Sequence, residues 1–231
     1  MKGVLKPDKS VYKTILYLIM RIILQLLVIF LLAGKFSYSG GIIIAVITVI
    51  TNLLYFLIIY RLNPGSLNWS IDTGGIDNNY ESKTHIVWFV LMILTLAVSS
   101  LDGGRMKWSN LDYSIRYTAA FVLIVSNIML LYSVYLRITT DLRERNISEE
   151  FLIINKGPFR YLRYPDYSAI MFSSVATPLV MGSVWGLAFA SGIVILYIIK
   201  TDMEDVYYTE NQKSYRRYRK VVKYRIFPYI W

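Results

Sequence analysis

Two polar stretches carry the residues best suited to chemistry in a chain that is otherwise largely apolar. The first, Asn155–Ser168 (NKGPFRYLRYPDYS), packs two prolines, two arginines and four aromatics into one short link. Gly157-Pro158 turns the chain, and Tyr164-Pro165 favours extended backbone before the next helix. Non-helical backbone at membrane depth persists only where protein or a cavity satisfies its amides, so this segment is a candidate pocket lining. Its tyrosines offer flat faces for an adenine ring and hydroxyls for a ribose, and Arg160 or Arg163 could grip a carboxylate through two parallel bonds. The other reading is an aromatic-basic belt that anchors the chain at the membrane interface.

The second stretch is Lys200–Trp231 (KTDMEDVYYTENQKSYRRYRKVVKYRIFPYIW). On a continuing helix Tyr197, Thr201, Glu204 and Tyr208 fall on one face. Glu204 and Asp205 then sit where that helix leaves the apolar layer, in an otherwise basic region. A carboxylate there could hold an ammonium group. Alternatively both acids pair with neighbouring arginines, and exposed pairs of that kind contribute little.

The elements that must position these residues are membrane helices. Of 231 residues 55% are hydrophobic and only 17% charged, whereas soluble domains carry about a quarter charged residues. A span needs about 20 mostly apolar residues. Thr14–Ala33, Gly41–Tyr60, His85–Leu101 and Tyr117–Leu136 qualify. The first, being long and followed by further spans, reads as an anchor and not a signal peptide. It carries Arg21 and Gln25 one turn apart on one face, and Arg21 is expected to snorkel to the interface. Asn127 reads as part of a helix–helix face.

A fifth apolar region, Ala169–Ile199, is expected to break at Pro178 and at Gly182-Ser183 into two arms of roughly 20–25 Å. These suggest a tight hairpin whose second arm runs past Lys200 and out of the bilayer. Residues 62–84 read as a polar loop rich in turn signals. The expected fold is an all-α integral membrane protein: a bundle of four transmembrane helices plus a C-terminal helical hairpin, with a cytoplasmic C-terminal helix. Residues 1–136 form the four-span part and 137–231 the cofactor-binding segment, hairpin and last helix, as one integrated membrane domain.

The net charge of +10 collects in the connections and the tail. Nucleic-acid binders carry a basic stripe on a soluble scaffold instead, so no nucleic-acid partner is expected. Anionic lipid headgroups, which attract such charge at about 1 kcal/mol per residue, are the expected partner. Lys2 to Lys13, Arg61, Lys83, Arg137 to Arg163 and Lys200 to Arg225 fall on one side of this topology, against Lys35, Arg105, Lys107 and Arg116 on the other. The bias predicts a multi-pass protein with both termini cytoplasmic. The chain has no cysteine and a single histidine, His85. Disulfides, thiolate catalysis and cysteine- or histidine-rich metal centres are therefore excluded; His85 reads as an interface residue.

Three blocks in order resemble one family. LDGGRMKWS (Leu101–Ser109) is similar to an Asp-x-x-Arg-[Phe/Met]-x-Trp-Ser loop. GPFRYLRYPDYSA (Gly157–Ala169) resembles Gly-Pro-Tyr-Arg-x-x-Arg-His-Pro-x-Tyr-x-Gly. The tail resembles Arg-Thr-x-x-Glu-Asp … Tyr-x-x-Tyr … Val-x-Tyr-Arg-[Leu/Ile]-x-Pro-x-[Ile/Val]-Trp. Together they resemble the isoprenylcysteine carboxyl methyltransferase family in its broad prokaryotic sense, which shades into phospholipid N-methyltransferases and thiol S-methyltransferases. The resemblance covers about Leu101 to Trp231.

It implies a helical membrane enzyme that uses S-adenosyl-L-methionine, clasped between the Arg-x-Pro segment and the last helix. Tyr161, Leu162 (through its backbone), Arg163, Tyr164, Pro165 and Tyr167 would line the cofactor pocket. Glu204 would meet the cofactor's amino-acid end, and Glu204, Arg163 and Tyr164 would be the catalytic positions. The acceptor would be a membrane lipid or another lipophilic or small molecule, entering laterally from lipid. The family's histidine is Tyr164 here and its second glycine is Ala169. Methyl transfer from a sulfonium is an in-line displacement that depends chiefly on positioning. A tyrosine hydroxyl can replace one histidine hydrogen bond but not an imidazole base.

No Gly-x-Gly-x-x-Gly turn follows a strand pattern, which excludes a soluble dinucleotide-fold methyltransferase. A membrane reductase using NADPH, a non-catalytic scaffold and a small transporter remain as alternatives. The sequence does not separate carboxylate, amine and thiol acceptors, nor does it indicate an oligomeric state.

Overall fold

The computed structural model describes residues 9–62, 78–144, 154 and 156–230. The described elements are α1 (Lys9–Ala33), α2 (Ser39–Leu62), α3 (Asn78–Ser99), α4 (Tyr113–Glu144), α5 (Pro165–Val180), α6 (Gly186–Asn211) and α7 (Lys213–Val221). A π-helical turn, Ser100–Met106, extends α3, and a short 3-10 turn, Gly157–Arg160, precedes α5. Among the described residues five stretches are long and apolar enough to cross a membrane: Ile15–Ala33, Ser39–Leu62, Tyr80–Met106, Tyr113–Thr140 and Gly186–Asn211. Large apolar side chains such as Leu31, Leu53, Phe121 and Ile128 are exposed on their outer faces. That surface suits lipid, since a water-soluble monomer rarely shows so much contiguous apolar area.

The all-α membrane architecture is the expected one, with three corrections. First, α3 begins at Asn78, so the end of the polar 62–84 stretch is helical, while residues 63–77 lie outside the described residues. Glu81 and Thr84 are buried there because Glu81 meets Lys200 Nζ of α6 at 3.2 Å. Second, Pro178 does not end α5, which runs on to Val180. The break is the turn after it, where Gly182 adopts φ +77°, a conformation that favours glycine. The second arm runs past Lys200 as expected: α6 has 26 residues, about 39 Å. Third, Arg21 does not snorkel. It turns inward and bonds Asn52 Oδ1 on α2, a buried acceptor that favours the inward rotamer. Asn127 donates to its own helix at Leu123 O, 2.8 Å.

At the end of the bundle where α3 finishes, Asp102 is fully buried. It accepts from Ser109 N (2.7 Å), Ser109 Oγ (2.6 Å) and Ser183 Oγ (2.7 Å). These bonds tie the π-helical turn to the α5–α6 turn. Tyr38 Oη donates to Met181 O at the same place. The Leu101–Ser109 block is thus a structural clamp. The other two blocks meet at the opposite end, where α3 starts and α6 finishes.

Candidate functional site

The tail returns to complete the Gly157–Ser168 segment. After α7, Val222 and Ile226 are buried, and the chain pairs in parallel with Leu162 through Tyr224. Arg163 N donates to Tyr224 O and Tyr164 N to Arg225 O, both at 3.0 Å. Ser168 Oγ donates to Ile226 O at 2.7 Å, and Tyr218 Oη to Phe159 O at 2.6 Å. The amides of Arg163 and Tyr164, which lie between the 3-10 turn and α5, are thereby satisfied, as burial demands. Tyr164 has φ −128° and ψ 61°, outside the helical region that a following proline disfavours. Pro165 opens α5, where its missing N–H leaves nothing unpaired.

Two charged clusters flank this join. In the first, Arg163 Nη1 lies 2.7 Å from Asp205 Oδ1, the side chains being 3% and 0% exposed. Arg225 Nε donates to Asp205 Oδ2 at 3.1 Å and its Nη1 to Asp202 at 2.6 Å. Tyr215 Oη donates to Asp205 Oδ1 at 2.6 Å and lies 3.0 Å from Tyr164 Oη. In the second, Tyr167 Oη donates to both Glu204 oxygens at 2.8 and 3.0 Å. Lys200 Nζ lies 3.4 Å from Glu204 and 3.2 Å from Glu81. The Tyr164 and Tyr167 rings stack at 5.4 Å between the clusters, and Tyr197 packs edge-on against Tyr167 at 5.1 Å.

Arg163, Arg225 and Arg219, whose Nε lies 3.9 Å from Asp205 Oδ2, set against Asp205 and Asp202 sum to one positive charge; Glu81, Lys200 and Glu204 sum to one negative. The site therefore has a cationic and an anionic pole on consecutive residues of α6. Beside the cationic pole is a cleft of about 320 Å³ lined by Arg163, Lys223, Tyr224, Arg225 and Ile230. The anionic pole reaches, through Glu81 and Tyr197, a cavity of about 980 Å³ inside the bundle.

The expected face of α6 is as read, with Tyr197, Thr201 and Glu204 buried. Pairing with arginines holds for Asp205 but not for Glu204, whose partners are Lys200 and Tyr167. Arg163 is paired within the chain, with Asp205, and Arg160 is exposed. Tyr161 is 65% exposed and Leu162 to Pro165 are buried, so only the outer edge of the segment resembles an interface belt. Sequence reasoning missed Glu81, Lys200 and Tyr215. Lys200 had one usable signal, its position one turn before Glu204.

Burial pushes the Tyr164 phenol well above its ordinary range, with Tyr215, Glu204 and Asp205 adding to the shift. Tyr215 and Tyr218 are raised as well, chiefly by burial. All three are neutral at working pH, so Tyr164 supplies a hydrogen bond and no base. Below about pH 10 the folded and unfolded states both hold these protons. Above it the unfolded chain releases them while the folded one keeps them, so stability should fall as pH rises. Thermal unfolding in detergent between about pH 9 and 11 should show that decline, and Tyr164→Phe should flatten it.

Residues 115–214, from α4 into α7, match the phospholipid methyltransferase family. No curated protein matches the chain. The family match bears out the resemblance read from the motifs in its broad sense. The matched family is one of membrane methyltransferases, for which S-adenosylmethionine is the general methyl donor, and the apolar helices of this chain suit a multi-pass membrane protein.

Proposed function

We propose that this methyltransferase binds S-adenosylmethionine between the Tyr161–Tyr167 segment and the end of α6, and methylates a lipophilic or small acceptor at the cytoplasmic membrane face. The observation that carries the reading is the pair of opposite poles on Glu204 and Asp205, with stacked tyrosines between them. The cofactor's amino-acid end presents an ammonium and a carboxylate beside a sulfonium. The Glu81–Lys200–Glu204 cluster suits the cations, and the Arg163–Asp205–Arg225 cluster suits the carboxylate. When bound, the cofactor supplies an electrophilic methyl group.

In this reading Glu204 meets the ammonium, Arg163 fixes the carboxylate side, and Tyr161 offers its exposed ring to the adenine. Leu162, Tyr164, Pro165 and Tyr167 form the wall. Tyr164 takes no proton, so an acceptor that needs deprotonation loses its proton to another group or to water. Arg163 and Arg225 are already neutralised in part by Asp205 and Asp202, which disfavours the phosphates of a dinucleotide. The site end is also where Arg61, Lys200 and the basic tail lie. That placement supports a cytoplasmic site with both termini on its side and contact with anionic headgroups.

Calorimetric titration of S-adenosylmethionine, and separately NADPH, into detergent-purified protein tests the reading. Micromolar binding of the sulfonium is expected, about −8 kcal/mol. Glu204→Gln should weaken it at least tenfold. The unfolding temperature should change little, because Lys200 keeps Glu81 and the new amide still accepts from Tyr167. Binding of NADPH in place of the sulfonium would replace this reading with a reductase.

A further inference from the structure

The 980 Å³ cavity between α1 and α6 has mostly aliphatic walls, including Leu18, Ile44, Leu96 and Leu130. One band of it is polar. Arg21 bonds Asn52 Oδ1 there, and Asn52 Nδ2 donates to Thr48 O at 2.7 Å. Gln25, one turn further along α1 and 8% exposed, donates to Met92 Sδ at 3.1 Å. Arg21 Nε, Gln25 Oε1 and Ser173 Oγ are buried with no hydrogen-bond partner among the described residues. No described carboxylate pairs with Arg21.

Buried polar groups are nearly always bonded, and a charge facing a membrane interior is normally paired. Three unmet polar atoms from α1 and α5 around one cavity therefore point to a ligand group. A guanidinium and a hydroxyl donate, so that group accepts and carries negative charge. Gln25 lies level with Met92, which puts Arg21 about 10 Å along α3 from Glu81. A molecule held at Arg21 can thus reach the anionic pole with its far end.

We propose that this cavity holds the methyl acceptor, and that the acceptor is an amphiphile whose carboxylate or phosphate is gripped by Arg21 while its apolar body fills the aliphatic walls. Naming the occupant as acceptor rests on the methyltransferase reading. The anion site itself stands on the donors Arg21 Nε and Ser173 Oγ.

Trp88 lines the same cavity and gives the readout. Quenching of its emission is measured in detergent with dibromostearate, with the alkyl phosphate of the same brominated chain, and with the neutral brominated alcohol. Trp88→Phe supplies the background from the other tryptophans. At least one of the two anions should quench at a concentration at least tenfold below the alcohol, and the better one identifies the group. Arg21→Gln should erase that preference, and Arg21→Lys should keep most of it. Equal quenching by all three probes, or a preference that survives Arg21→Gln, overturns the proposal. Sulfonium titration of the same samples separates the two readings. Anion preference without sulfonium binding leaves the anion site standing and removes the acceptor assignment; sulfonium binding without anion preference removes only the anion site.

Discussion

Asp205→Ala is expected to destabilise the protein by about 3–5 kcal/mol and to abolish cofactor binding. The magnitude is that of breaking a buried ion pair and leaving its partner uncompensated. Asp205 is wholly buried and serves Arg163, Arg225 and Tyr215 at once. Without it two guanidiniums face each other across the join between the Leu162–Tyr164 segment and the tail. Their repulsion acts on the few backbone bonds that hold the join. Asp202→Ala is the contrasting case. It removes an exposed partner of Arg225 and should cost less than about 1 kcal/mol. Thermal unfolding in detergent, with sulfonium titration on the fraction still folded, compares the two. If Asp205→Ala unfolds no earlier than Asp202→Ala, the buried cluster does not hold the segment to the tail.

The difference between those two aspartates marks how far the sequence could be read. Apolar blocks of span length located four of the crossing helices, because lipid exposure selects composition residue by residue along a helix. Positive φ at Gly182 likewise fell where a glycine stood. What stayed hidden depends on partners distant in the chain. Glu81 looked like part of a loop because its partner, Lys200, lies 119 residues away. Arg21 looked like an interface residue because its acceptor, Asn52, is on the next helix.

The Gly157–Ala169 and tail motifs were legible as a pair through resemblance. That the tail satisfies the segment's amides, and that Asp205 joins Arg163 to Arg225, required the fold. The Leu101–Ser109 block had the same status in the sequence as the other two, yet it lies at the far end of the bundle. Its residues converge on Ser183 and Met181, not on the segment around Arg163. Motif resemblance therefore grouped residues of two different physical roles, and only position along the helices separates them.

That separation has a measurable consequence. Asp102→Ala should destabilise the bundle by on the order of 3–5 kcal/mol, since it strands the Ser109 amide and the Ser109 and Ser183 hydroxyls at about 1–3 kcal/mol each before relaxation. Asp102→Asn keeps one carbonyl acceptor but brings an amide among donors, and should fall between alanine and the native residue. Gly103→Ala attacks the same joint by volume. A Cβ there would overlap the Met181 carbonyl oxygen and come 2.7 Å from the Tyr38 hydroxyl, so the two turns must part. In each variant the unfolding temperature should drop sharply. The sulfonium affinity, measured well below that temperature, should stay within about threefold of the native value, a shift of under 1 kcal/mol. The reason is that Glu204, Arg163 and their partners lie at the other end of α3 and α6. A tenfold loss of affinity in protein that is still folded would show that the Asp102 clamp sets the register of α6, and through it the placement of Glu204.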